Sequence, residues 1–73
     1  HAGFTVYPNP ANTTVYIQVN SKATFFLINQ AGKLLLIKNI DYSGTINVAN
    51  LASGLYYLKN NTTGAVQKII VSR

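Results

Sequence analysis

Between residues 4 and 72 apolar and polar side chains alternate in short runs with a period of two. Phe4-Thr5-Val6-Tyr7 alternates, and Thr14-Val15-Tyr16-Ile17-Gln18-Val19 does so more cleanly, with Val15, Ile17 and Val19 sharing one face. Such alternation marks a half-buried strand, so that face should point into a core. Gly44-Thr45-Ile46-Asn47-Val48 repeats the pattern with Ile46 and Val48 inward. Ala23 to Asn29 and Lys33 to Asn39 differ, being apolar on both parities, as suits strands covered on both sides or placed at a sandwich rim. Leu55 to Asn60 and Val66 to Ser72 bring the candidate strands to seven. β-Branched and aromatic residues dominate these runs and turn residues interrupt them, which disfavours helix.

The connections carry their own signals. Asn29-Gln30-Ala31-Gly32 and Asn61-Thr62-Thr63-Gly64 each end in glycine, as in a type I turn followed by a left-handed residue that forms a bulge. Gly44 and Gly54 are likewise assigned to turns. Ala49 to Gly54 is longer and lacks alternation; it is predicted to cross between sheets through a short helical turn capped by Asn50, with Leu51 plugging the end of the core. Together these features predict one all-β domain over 1–73, a seven-stranded immunoglobulin-like antiparallel β-sandwich, with an open barrel as the alternative.

Both prolines lie in Val6-Tyr7-Pro8-Asn9-Pro10-Ala11-Asn12. Each pushes the residue before it, Tyr7 or Asn9, towards extended geometry. Asn9-Pro10-Ala11-Asn12 then reads as a type I turn with asparagine first and proline second. Pro8 has no N–H to give a ladder, so the first strand should end there or lie at a sheet edge.

Composition narrows the class. A chain of 73 residues buries roughly 60% of the surface its unfolded form exposes, so the core is real but thin. With 48% hydrophobic and 10% charged residues, it lacks the composition of a disordered segment. There is no cysteine, so neither disulfides nor a thiolate zinc site hold it together. The longest apolar run, Leu34 to Ile37, is bracketed by Lys33 and Lys38 and falls far short of a membrane span, so no direct membrane insertion is expected. The start lacks methionine and a signal-peptide pattern and reads as a piece of a larger protein, with His1 a remnant. The net charge of +5 sets six cations against the single acid Asp41. Lys22, Lys33, Lys38, Lys59, Lys68 and Arg73 are dispersed, without the clustered stripe of a nucleic-acid surface, and read as solvated lysines at strand ends that discourage edge-to-edge pairing.

Candidate chemistry is sparse. One acid cannot supply a carboxylate pair, and the lone histidine stands at the terminus without an acidic partner, so no catalytic residue is assigned. No cofactor or metal site is assigned either, since the glycines are scattered and Asp41 alone falls short of the oxygen ligands calcium takes. The five tyrosines raise a second hypothesis, a small appended sandwich binding polysaccharide or mediating adhesion, although Tyr7, Tyr56 and Tyr57 lie in strands where packing explains them. Leu51-x-x-Gly54-x-Tyr56 resembles the tyrosine corner of sandwich folds at a spacing about one residue off, which leaves its hydrogen bond open. Asn12-Thr13-Thr14, Asn60-Asn61-Thr62 and Asn61-Thr62-Thr63 match glycosylation sequons but read as turn residues.

The order of the motifs is more telling than any one of them. Tyr7-Pro8-Asn9-Pro10 comes first, then Gly32-Lys33 at a hairpin, then Leu51-x-x-Gly54-x-Tyr56, and finally Lys68-Ile69-Ile70-Val71-Ser72-Arg73. In this order the chain resembles the C-terminal sorting domain of the type IX secretion system of Bacteroidetes, in its type A form. The resemblance covers nearly the whole chain. It implies an immunoglobulin-like sandwich that follows a cargo and is recognised in the periplasm by the secretion machinery. Export across the outer membrane would follow, then removal by a sortase-like peptidase and attachment of the cargo at the cell surface. Carried over by position, Lys68 to Arg73 would be the segment read by the machinery. Tyr7, Pro8, Asn9, Pro10, Gly32, Lys33, Leu51, Gly54 and Tyr56 would be structural. Asn29 and Gln30 are uncharged where the family commonly has an acidic or otherwise polar residue ahead of the hairpin. A homodimer is left open.

Overall fold

The computed structural model describes residues 4–8 and 13–72. It contains five strands: β1 (Phe4–Tyr7), β2 (Thr14–Asn29), β3 (Leu34–Asn47), β4 (Gly54–Asn60) and β5 (Val66–Val71). All pairings are antiparallel. The seven short strands expected from the sequence are thus five, because two pairs of runs fuse into the long strands β2 and β3. Asn20-Ser21-Lys22 and Asp41-Tyr42-Ser43, which fall between the candidate strands, instead form a bend inside the sheet. There the register passes from Gln18↔Ser43 to Lys22↔Asp41, so three residues of β2 oppose Tyr42 alone. An unequal count of this kind bends the strands and strengthens their twist. Tyr42 takes a φ of 67° at the bend.

The bend divides one sheet into two halves. Before it, β2 lies between β1 and the second part of β3; after it, β2 lies between the first part of β3 and β4, with β5 beyond. The halves curl over one core. Phe4 of β1 meets Phe25 of β2 edge-on at 4.9 Å between ring centres, an arrangement aromatic pairs favour. The Gln67 side-chain amide on β5 donates to the Phe4 carbonyl, joining elements at opposite ends of the chain. Val15, Ile17, Val19, Ile46 and Val48 are buried as the alternation requires, alongside Phe25, Leu27, Leu58, Ile69 and Val71. The radius of gyration, 11.0 Å, matches the roughly 11 Å of a compact chain of this length.

The two runs apolar on both parities behave differently. In β2, Ala23, Phe25 and Leu27 are buried while Thr24, Phe26 and Ile28 are half-buried. In β3, Leu34 and Ile37 are exposed and only Leu35 and Leu36 pack against the core, so this stretch is a rim. Lys22, Lys38 and Lys68 stand within strands, not at their ends.

The turns refine the expectations. Gly32, at φ 89°, donates its N–H to the Asn29 carbonyl at 3.0 Å, and the Asn29 Oδ1 accepts from the Ala31 and Lys33 amides, giving the predicted bulged hairpin. The second hairpin is one residue longer than expected, since the Gly64 N–H reaches the Asn60 carbonyl and the buried Asn60 Oδ1 caps the Thr62 and Thr63 amides. Gly44 lies inside β3, not in a turn: a Cβ there would stand 2.5 Å from the Ile40 Cδ1, so any larger residue would have to displace the end of the buried Ile40 side chain. The crossover after β3 holds no helix. Asn47, not Asn50, serves it, accepting from the Ala49 amide at 2.8 Å, and Leu51 packs against the core from there as predicted.

Candidate functional site

Three of the four motifs that stand apart in the sequence are neighbours in the sheet. Asn29, at the base of the Gly32-Lys33 hairpin, pairs with Tyr56 of β4, and Tyr56 pairs in turn with Ile69 of β5. Gly54 pairs with Val71. A shallow cleft of about 270 Å³ runs between Asn29-Gln30-Ala31 and Ser53-Gly54-Leu55-Tyr56, so hairpin and crossover face one another at this end of the molecule.

Tyr56 holds the crossover against this platform. Its ring is buried and its hydroxyl donates to the Ala52 carbonyl at 2.7 Å, four residues upstream. The corner bond that the sequence leaves open is therefore made, within the crossover itself. Gly54, at φ 157°, is the residue through which the chain turns from the crossover into β4.

The last motif divides by parity. Ile69 and Val71 are buried in the core and support the fold, whereas Lys68, Ile70 and Ser72 are exposed on the opposite face. Pairing places Leu55 beside Ile70, Tyr57 beside Lys68 and Lys59 beside Val66, and Phe26 and Ile28 of β2 extend these rows. The outward face of this half is consequently apolar with lysines set into it. Arg73 lies outside the described residues.

The opening motif sits on the other half. β1 ends at Tyr7 and is an edge strand, as Pro8 requires, and the Tyr7–Pro8 peptide is cis. The Asn9-Pro10 turn lies outside the described residues. Tyr7 is half exposed and stacks on Tyr16 across the β1–β2 pair, at 5.5 Å and 20° between ring planes. Packing thus explains Tyr7, but against an exposed partner. The two rings lie on one another and not side by side, so they do not form the coplanar platform that sugar stacking needs.

Two surface features escape sequence reasoning. One is this tyrosine stack, whose only trace is that Tyr7 and Tyr16 fall in runs joined by a tight corner. The other is the outer edge of β3, which pairs with no strand among the described residues. The apolar run Leu34 to Ile37 bracketed by lysines was its signal, but only topology shows it to be a free edge.

The described residues form a small all-β domain with an exposed, lysine-set strand face. The family of secretion system C-terminal sorting domains matches residues 5–72, and the chain belongs to it. No curated protein and no solved structure matches the chain significantly. That family consists of sorting signals, not enzymes, and membership makes the chain a C-terminal sorting signal for type IX secretion, directed to the cell surface or the extracellular space.

Proposed function

We propose that the outward face of β5 is the part of the signal the type IX machinery reads, with Lys68, Ile70 and Ser72 as contacts and Arg73 completing the segment. The observation that carries this reading is the split of the terminal motif, in which Lys68 and Ile70 face outward while Ile69 and Val71 hold the strand in the core. A contact strand anchored every second residue is presented rigidly, which lowers the ordering cost of binding. Tyr7, Pro8, Gly32, Lys33, Leu51, Gly54 and Tyr56 act by supporting this presentation, as do Asn9 and Pro10. The two halves of the curled sheet serve as the layers of an immunoglobulin-like sandwich. The domain follows a cargo, meets the machinery in the periplasm, and is removed by a sortase-like peptidase as the cargo is attached outside.

The test attaches residues 1–73 to a periplasmic reporter in a type IX-competent bacterium. The reporter should appear outside the cell, and the double change Lys68→Ala with Ile70→Thr should lower its export while the domain keeps its urea midpoint. A reporter that stays in the periplasm sinks the sorting assignment. Undiminished export of the double variant sinks the assignment of the contact face.

A further inference from the structure

We infer that the free edge of β3 at Lys33 to Asn39 accepts an extended segment of another protein by strand addition, the segment having a short apolar run with an acidic residue at each end. β2 pairs with β3 from Thr14↔Asn47 to Ile28↔Leu34, with register breaks after Gln18 and at Leu35, and with β1 and then β4 on its other side, so among the described residues β3 has an unpaired outer edge. The direction of the backbone groups on that edge follows from β2. The Thr24 carbonyl accepts from the Asn61 amide at 2.8 Å, and therefore points towards the β4 side, away from β3. In an antiparallel ladder the N–H and C=O of one residue point the same way, so Thr24 and its opposite, Asn39, form a wide pair not hydrogen-bonded to each other. The N–H and C=O of Asn39 point outward, and those of Ile37, two residues away and paired with Phe26, do too.

The side chains on this edge are of the kind sheets normally keep off their edges. Ile37 is 57% exposed and Leu34 is 44% exposed, with Leu35 and Leu36 half-buried behind them. A long apolar edge is a template for a further strand, and proteins guard such edges with lysine. Lys33 and Lys38 flank the run and do so selectively. If two copies paired antiparallel with their apolar runs in register, Lys33 of one would oppose Lys38 of the other, because positions 33 and 38 are equidistant from the centre of Leu34–Ile37. Like charges directly opposite destabilise a pair, whereas opposite charges stabilise it. The only acid of the chain, Asp41, lies beyond this run opposite Lys22. The edge therefore disfavours its own copy and favours an apolar strand with acidic ends. Main-chain bonds would supply affinity, and the apolar run and its two charges selectivity.

The experiment uses the whole chain and two capped synthetic peptides of about six residues, ordinary strand length. Both alternate valine and threonine; one carries glutamate at each end, the other lysine. The glutamate peptide should bind about tenfold more tightly, as two opposed pairs of this kind allow. It should slow exchange of the Ile37 and Asn39 amides, and Lys33→Glu with Lys38→Glu should reverse the preference. Ile37→Pro, which removes an outward N–H and no bond to β2, should abolish binding with the exchange protection of the core retained. Equal binding of both peptides, binding of neither, protection arising at β1 or β5, or a dimer of the chain protecting this edge would each overturn the inference. The peptide assay reads the edge and the reporter assay reads export, so one can fail without the other.

Discussion

Ile69 and Ile70 are adjacent, chemically identical and opposite in role, which makes them a test of how the terminal strand works. Ile69 is completely buried opposite Tyr56, and Ile70 is 47% exposed beside Leu55. Truncating a buried isoleucine to alanine costs about 2–5 kcal/mol, through lost transfer energy and the cavity left behind. A domain of 73 residues holds about 4–11 kcal/mol in total, at roughly 0.05–0.15 kcal/mol per residue. Ile69→Ala should therefore remove about a fifth of the stability or more, whereas Ile70→Thr, a surface change that keeps β-branching, should stay within about 0.5 kcal/mol. With a urea slope near 1 kcal/mol/M for so small a chain, the first change lowers the midpoint by about 2 M or more and the second by at most about 0.5 M. Measured beside reporter export, the pair separates support from contact: Ile69→Ala should lose export in proportion to the unfolded fraction, and Ile70→Thr should weaken it with the fold intact. Equal midpoint shifts for the two variants would refute the parity assignment and the contact face with it.

Tyr56→Phe keeps the buried ring and removes only the hydroxyl bonded to Ala52, so it should cost about 1 kcal/mol, or a melting temperature lower by about 4–8 °C. No change in the melting temperature would mean that the crossover is held by Leu51 and its neighbours alone. Gly44→Ala forces a methyl group to within 2.5 Å of the Ile40 Cδ1, and overpacking of this kind should destabilise by about 1–3 kcal/mol in urea titration. Gly44→Ala combined with Ile40→Val, which removes that Cδ1 atom, should recover part of the loss. An additive double variant would contradict the contact.

What the sequence discloses is whatever leaves a trace at short range. Val15, Ile17 and Val19 are legible because each must face the core while Tyr16 and Gln18 face water. Gly32 is legible because a tight bulged hairpin demands a positive φ. The bend is not: Asn20-Ser21-Lys22 and Asp41-Tyr42-Ser43 are polar because they are exposed at a kink, and polarity from a kink looks the same as polarity from a loop. Gly44 is misread for the same reason, since glycine at a close approach and glycine in a turn are one letter. The motifs of the candidate site are visible as an ordered series, but the placing of Asn29, Tyr56 and Ile69 in one row depends on pairings between residues 27 and 13 positions apart. No local pattern carries such a distance.

The fusion of runs into β2 and β3 also decides how much of the rim is usable. Because β3 follows β2 on one side through the bend, its outer edge runs the length of the strand, from Leu34 to Asn47. Its character changes on the way. Up to Ile37 it is apolar, whereas Asp41, Tyr42, Ser43, Thr45 and Asn47 make the second part exposed and largely polar. At Tyr42 the backbone leaves the β region altogether, so an added strand cannot continue straight across the bend. The accessible template is thus limited to the stretch before the bend, long enough for one short strand bounded by Lys33 and Lys38. Straightening the bend would join the two parts and lengthen the template, and the same bend that folds the sheet over its core therefore keeps this edge too short for extended self-assembly.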